Sequence, residues 1–369
     1  MSAENPFQTM RRFLYVPSKA WKAAVHSLTC WGWLGLRRHP YLVLLVSAGI
    51  GTGTAILLGR LAGENKVFRV LGDVNPIWFA VCIGAECVAY AGYVLALHGT
   101  ARVDEGPHLG LGHAARVVVA GFGAFFAASP AGGFQVDYWA LRRAGASRPD
   151  ALARVMGLGT LEYAVLAPAA LGASLTLLVG AGKNPYPSLT LPWLLVVPGF
   201  AFAGWATSPK RRRRLASTDG KGRLRTWFGH TVSGLVVLRR LVLNPFPHGG
   251  LAFSGAALYW FGEIACLWAS LRAFHVDVAI PALILAYATG YVVTRRALPA
   301  GGVGVAEVTL TLALYWLGVP FVPALLGVFS YRIFNLWLPI VPAFAVSGTV
   351  RRMREGLLQA DRDLSAESS

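Results

Sequence analysis

Apolar residues in this chain come in unbroken runs rather than in the alternation of a half-buried strand or the narrow stripe of a surface helix. The clearest runs are 41–59, 76–98, 157–180, 190–207, 249–271, 279–294 and 321–347. A hydrocarbon core of about 30 Å needs about 20 helical residues, so each run predicts a membrane-crossing helix. The fold class this predicts is all-α: a polytopic integral membrane protein. The first run starts only near residue 41 and carries no cleavage-site pattern, so no signal peptide is expected.

Two breaks in the pattern are spelled alike. Ser129-Pro130-Ala131-Gly132-Gly133 and Leu298-Pro299-Ala300-Gly301-Gly302 belong to a longer internal repeat. Ala85-Glu86-Cys87 is echoed by Gly262-Glu263-Ile264, and Leu161-Glu162-Tyr163 by Tyr331-Arg332-Ile333, the latter two followed by Pro168 and Pro339; the offsets are 177, 169 and 170. Counting spans predicts that the first unit (about 76–180) and the second (about 249–347) start on opposite sides of the membrane, an inverted-topology repeat with its substrate site at the interface of the halves. In the first copy the arm from Gln135 to Ala144 is about 15 Å long, too short to cross, so a re-entrant hairpin is expected. In the second copy either a hairpin entering from outside or two full spans fits. Broken backbone at membrane depth belongs where protein or a wet cavity covers it, so the tips are expected to line a groove. There the glycines would permit positive φ, and the following helix would present anion-favouring N–H groups.

Charge adds the orientation. The net charge is +17, and ten Lys or Arg fall between 210 and 240. By the positive-inside rule, the N-terminal segment 1–39, the loop holding Arg102, the stretch 142–154, the basic loop and the tail 351–369 are cytoplasmic. Residues 7–38 and 226–248 mix aromatic or aliphatic residues with arginines and are expected to lie in the interface; the end of the tail is expected to be disordered. No aromatic-interleaved basic fold accompanies the positive charge, so nucleic acid is not an expected partner. Cys30, Cys82, Cys87 and Cys266 lack metal spacing and read as packing residues, and no cofactor or metal is expected. Nucleotide, metalloprotease and hydrolase motifs are absent from the sequence.

The candidate site residues are those whose chemistry does not belong in lipid. Glu86, Asp137, Glu162, Glu263, Glu307, Arg295, Arg296 and Arg332 fall in or beside apolar sequence, and such residues usually pair or line a polar path. Arg332 is a plausible partner of Glu307 or Glu263, while Glu307 also suits a helix N-terminus. With Pro130, Gly132 and Gly133 at one tip and Pro299, Gly301, Gly302 and Gly304 at the other, the five carboxylates and Arg332 make up the expected substrate groove.

The stretch Leu298 to Glu307, then Leu317-Gly318-Val319-Pro320 and Tyr331-Arg332 with Trp337-Leu338-Pro339, resembles the closing signature of the transmembrane region of lysylphosphatidylglycerol synthases. Ser129 to Gly133 with Leu141-Arg142-Arg143-Ala144-Gly145 is similar to that family's upstream counterpart, and the likeness covers roughly 40–350. The chain departs from the pattern at Ala306, where an arginine commonly precedes the glutamate. The resemblance implies a flippase-like region that moves aminoacylated phosphatidylglycerol between leaflets, here in a stand-alone member without the synthase domain. The expectation is therefore a bacterial inner-membrane translocase of polar-headgroup lipids, with membrane lipids as partners and a separate synthase or a second copy as further ones. The alternatives are a transferase using a polyprenyl-linked donor, for which Glu64 and Asp73 are the acidic candidates, or a non-transporting partner that recruits a synthase through 210–225.

Overall fold

The computed structural model describes residues 40–128, 130–180, 187–208, 223–292 and 302–343, with Ala345, Arg352 and Glu355 besides. The expected interfacial segment at 1–39, most of the basic loop and most of the tail lie outside them. Every regular element among the described residues is helical. Helix α1 (Pro40–Ala62) reaches Gly63 at φ 92° and bends by 105° into α2 (Glu64–Gly72). Then follow α3 (Ile77–Arg102), α4 (Leu111–Ala128), α5 (Pro130–Arg143), α6 (Arg148–Gly180), α7 (Pro187–Ala206) and α8 (Arg223–Leu243). The last four are α9 (Gly250–Arg272), α10 (Ile280–Tyr287), α11 (Val305–Trp316) and α12 (Phe321–Arg332); α10 and α12 run on through wide π-type turns at Ala288–Val292 and Ile333–Trp337.

Five of these runs are long and apolar enough to cross a bilayer: Ile77–Glu105, Arg148–Gly180, Pro187–Ala206, Pro245–Arg272 and Phe321–Ala343; the bent α1–α2 pair is a sixth candidate. The protein is an all-helical, polytopic membrane protein. Of the expected span at 279–294, the described residues include a short apolar helix, Ile280–Gly290. It widens where Gly290 presses on the facing arm, so closely that a β-carbon there would lie 2.7 Å from Leu310 Cα.

The centre of the bundle is an antiparallel pair, α3 against α9. Gly262 packs on Ala85 and Ala89, Gly92 on Gly255 and Tyr259, and Gly99 on Ala252, so residue numbers rise along one helix as they fall along the other. Small residues let the two backbones touch, which is how helices gain dispersion energy in a solvent as apolar as themselves. At the far end of the pair Asn75 N–H donates to Ala273 O at 2.9 Å. At the other end, the basic end, the chain after α3 closes on Arg154 of α6. That guanidinium, nearly buried, donates through Nη1 to the carbonyls of Thr100, Ala101 and Val103 at 3.1, 2.8 and 2.9 Å, and through Nε to Asp150 at 2.9 Å. Carbonyls freed by the end of α3 thus find a cation where a helix C-terminus favours one.

Around this pair stand two helical hairpins that open to opposite ends. The first is α4–α5. It begins beside His98, whose Nδ1 lies 2.7 Å from Leu109 O, and ends at Arg143, close to the cavity shared by Gly145, Asp150, Arg154 and Asp104; both feet stand at the basic end. The second is α10–α11. It follows the far end of α9 and is tied by Gly318 and Pro320 to the start of α12, whose Gly327 packs on Leu271 near that same end. Arms α5 and α11, of 14 and 12 residues, reach about 21 and 18 Å, less than the roughly 30 Å of a hydrocarbon core.

Candidate functional site

Four of the candidate site residues meet in the second half of the chain, with three that were not among the candidates. The Arg332 Nε–H donates to Glu307 Oε1 at 2.7 Å, and the Gly304 N–H donates to Glu307 Oε2 at 2.6 Å. Arg332 Nη1 reaches Asn335 Oδ1 at 3.4 Å. The Asn335 amide donates in turn to both Glu263 oxygens, at 2.8 and 2.7 Å, and the hydroxyls of Tyr287 and Tyr331 donate to Glu263 Oε2, the former at 3.0 Å. All seven residues are buried. Glu263 is the fourteenth residue of α9 and Arg332 the twelfth of the span Phe321–Ala343, which puts the network near mid-depth.

Local backbone explains the convergence. Gly302 and Gly304 hold φ of +70° and +88°, a region that costs an L-residue energy, and they turn the chain into α11. Glu307, third in that helix, reaches back to the Gly304 N–H and completes half of a capping box. The expected anion-favouring terminus at this tip is thus already filled by the chain's own carboxylate. On α12, the wide turn Ile333–Trp337, closed by Leu338 N–H on Ile333 O at 2.8 Å, adds a residue to the helical register. It brings Asn335 to the face that carries Tyr331 and Arg332, a device common at functional sites. The matching turn of α10 frees the Gly290 carbonyl, which accepts from the Thr309 hydroxyl of α11.

The first half holds the remaining carboxylates. Asp137 of α5 is buried, 3.4 Å from the Tyr93 hydroxyl and beside the crossing of Gly121 with Gly133. Glu162 of α6 is buried, and its backbone carbonyl accepts from Trp260 Nε1 at 2.7 Å, tying α6 to α9. Glu86 is buried on α3, next to the crossing residue Ala85. A run of rings links the two halves: Tyr90 to Phe122 at 4.6 Å, Phe122 to Tyr93 and Tyr93 to Tyr259 at 5.4 Å, then Tyr259 to Trp260, Trp260 to Tyr287 and Tyr287 to Tyr331 at 4.8, 5.9 and 6.2 Å.

The described parts of the two tips differ in backbone. Pro130 begins α5 itself, so Gly132 and Gly133 sit in its first turn, and Gly133 is not in the positive-φ region; a proline at the start of a helix gives up an N–H that has no intrahelical partner anyway. In the second copy Gly302 and Gly304 hold positive φ just before α11 begins at Val305. Asp137 therefore lies well inside its helix while Glu307 caps one. Pro299 and Gly301, with Arg295 and Arg296, lie outside the described residues. Glu64 and Asp73 stand at and just past the two ends of α2, Glu64 3.5 Å from Arg60 and the Asp73 carbonyl 2.7 Å from His275.

Tyr287, Tyr331 and Asn335 were missed because polar aromatics and a single Asn on apolar helices carry no charge signal. Asn335, three residues after Arg332, could have been found by asking what would satisfy two charged groups on facing helices. The arrangement offers fixed acceptors, hydroxyl and amide donors, and a guanidinium, all held between broken helices.

Residues 42–343 match the family model of the lysylphosphatidylglycerol synthase TM region, most of the chain. No curated protein matches the chain at a significant level.

Proposed function

We propose that this chain, which belongs to the lysylphosphatidylglycerol synthase transmembrane-region family, is a lipid translocase that moves a polar-headgroup lipid, such as an aminoacyl-phospholipid or a glycolipid, between leaflets of the bacterial inner membrane. The observation that carries this reading is a polar network at mid-depth, Glu263–Asn335–Arg332–Glu307, where α9 and the span Phe321–Ala343 meet the second of two hairpins that open to opposite ends of the bundle. The antiparallel α3–α9 pair and the oppositely facing hairpins support an inverted repeat, in which each half does for one leaflet what the other does for its partner. A headgroup that exchanges water for such donors and acceptors crosses with a lower desolvation cost, while its acyl chains stay in lipid. The basic end, with Arg102, Arg154 and Arg240, faces the cytoplasm on this reading, as do both termini.

The test is leaflet exchange in vesicles holding the full-length protein, read by quenching of labelled aminoacyl-phosphatidylglycerol, phosphatidylglycerol, glycolipid and polyprenyl-lipid analogues. Faster exchange of at least one headgroup class than in protein-free vesicles is expected. Protein-free rates for every class contradict the proposal.

A further inference from the structure

Away from the Glu263 network, a cavity of about 370 Å³ lies between α6, α7, α8 and α9. That volume falls within the roughly 300–1,000 Å³ typical of ligand pockets. Its walls are apolar, made by Ala164, Phe200, Ala203, Leu235, Leu238 and Phe253 among others. Thr207 also lines it, but its hydroxyl is turned onto the carbonyls of Ala203 and Gly204 at 2.8 and 3.2 Å. The charged member is Arg239, and none of the ion pairs among the described residues engages it. Its neighbour Arg240 is engaged, with Nη1 2.9 Å from Asp104 Oδ2 at the basic end. The cavity is therefore an apolar slot with one uncommitted guanidinium near the end of α8, next to the basic end of the bundle.

We infer that this slot is a binding site for an anionic glycerophospholipid of the leaflet at the basic end, its phosphate on Arg239 and an acyl chain between Phe200, Leu235 and Phe253. The chemistry fits in both parts. Guanidinium binds phosphate oxygens through a planar fork, and hydrocarbon fills a cavity that water would occupy only at a cost. Gly204 lines the slot, and a β-carbon there would meet nothing within 4 Å, so a larger side chain has room to enter it. The site is independent of the translocase reading, because it is built from residues that the buried network does not use.

The test measures phospholipid retained by the full-length protein, extracted from nanodiscs of mixed phosphatidylcholine and phosphatidylglycerol and counted by native mass spectrometry. Arg239→Gln is expected to lower the preference for phosphatidylglycerol about fivefold, the factor for one basic residue near a membrane surface. Arg60→Gln, the same charge change at an exposed position paired with Glu64, is expected to leave that preference unchanged. Gly204→Leu, which fills the open space, is expected to remove one retained lipid of either type without lowering the melting temperature. Wild-type preference in Arg239→Gln, or wild-type retention in Gly204→Leu, overturns the assignment. Leaflet exchange measured on the same variants separates this site from the proposed translocation path.

Discussion

Gly262 of α9 lies so close to Ala85 of α3 that a β-carbon on it would sit 2.5 Å from the Ala85 carbonyl oxygen. The contact falls one residue before Glu86 and one before Glu263, so the crossing that joins the halves also sets the positions of their two carboxylates.

Gly262→Val is expected to force the pair apart and to cost about 3 kcal/mol, the upper part of the usual overpacking range, since backbone cannot move aside as a side chain can. Gly84→Ala, on the partner helix α3 with nothing within 4 Å of the new carbon, is expected to stay within about 0.5 kcal/mol of wild type. Melting of both variants in one detergent checks the difference.

Arg332 and Glu307 are 1% and 2% exposed at their side chains. Removing one partner strands the other, so Arg332→Met and Glu307→Gln are each expected to destabilise by roughly 3–5 kcal/mol. Together they are expected to cost clearly less than their sum, because the amide still accepts from Gly304 and no charge is left alone. A double-mutant cycle on unfolding in mixed micelles measures the coupling.

The Arg154 guanidinium serves three carbonyls and one carboxylate at once. Lysine keeps the charge but lacks the fork, so Arg154→Lys is expected to cost about 2 kcal/mol. Hydrogen–deuterium exchange is expected to rise in the last turn of α3 while the α10–α11 hairpin stays as protected as in wild type.

Gly304 combines a φ of +88° with neighbours at 3.1 and 3.2 Å, Ile50 Cγ2 and Thr54 Oγ1, from where a β-carbon would stand. Gly304→Ala is expected to lose about 1–3 kcal/mol through backbone strain. Its melting temperature against that of Gly318→Ala, also at positive φ but with no neighbour within 4 Å, separates strain from crowding; Gly304→Ala is expected to melt lower.

Much of this architecture was legible because lipid is a simple solvent: long apolar runs give spans, and charges within them mark what must be paired. Arg332 with Glu307 could be anticipated because each would be costly alone. The geometry of the breaks was not legible. Gly133 and Gly302 hold the same place in the two tetrapeptides, yet Gly133 sits in the first turn of α5 while Gly302 takes a left-handed φ ahead of α11, since a glycine can take up either φ sign. Arg154 went unnoticed as a cap because an arginine near a span end looks like a charge facing water. Asn335 depended on a widened helical turn, which no hydrophobic period announces.

The most direct measurement of the central claim is the leaflet-exchange rate of the Glu263→Gln protein against wild type in matched vesicles. The substitution keeps the size of the side chain but turns an acceptor oxygen into an amide donor facing the donors Tyr287, Tyr331 and Asn335. The account predicts that wild type speeds exchange and that Glu263→Gln falls at least about tenfold, equivalent to about 1.4 kcal/mol on the barrier, while the variant stays folded and monodisperse. Wild-type exchange in a folded Glu263→Gln protein would contradict it.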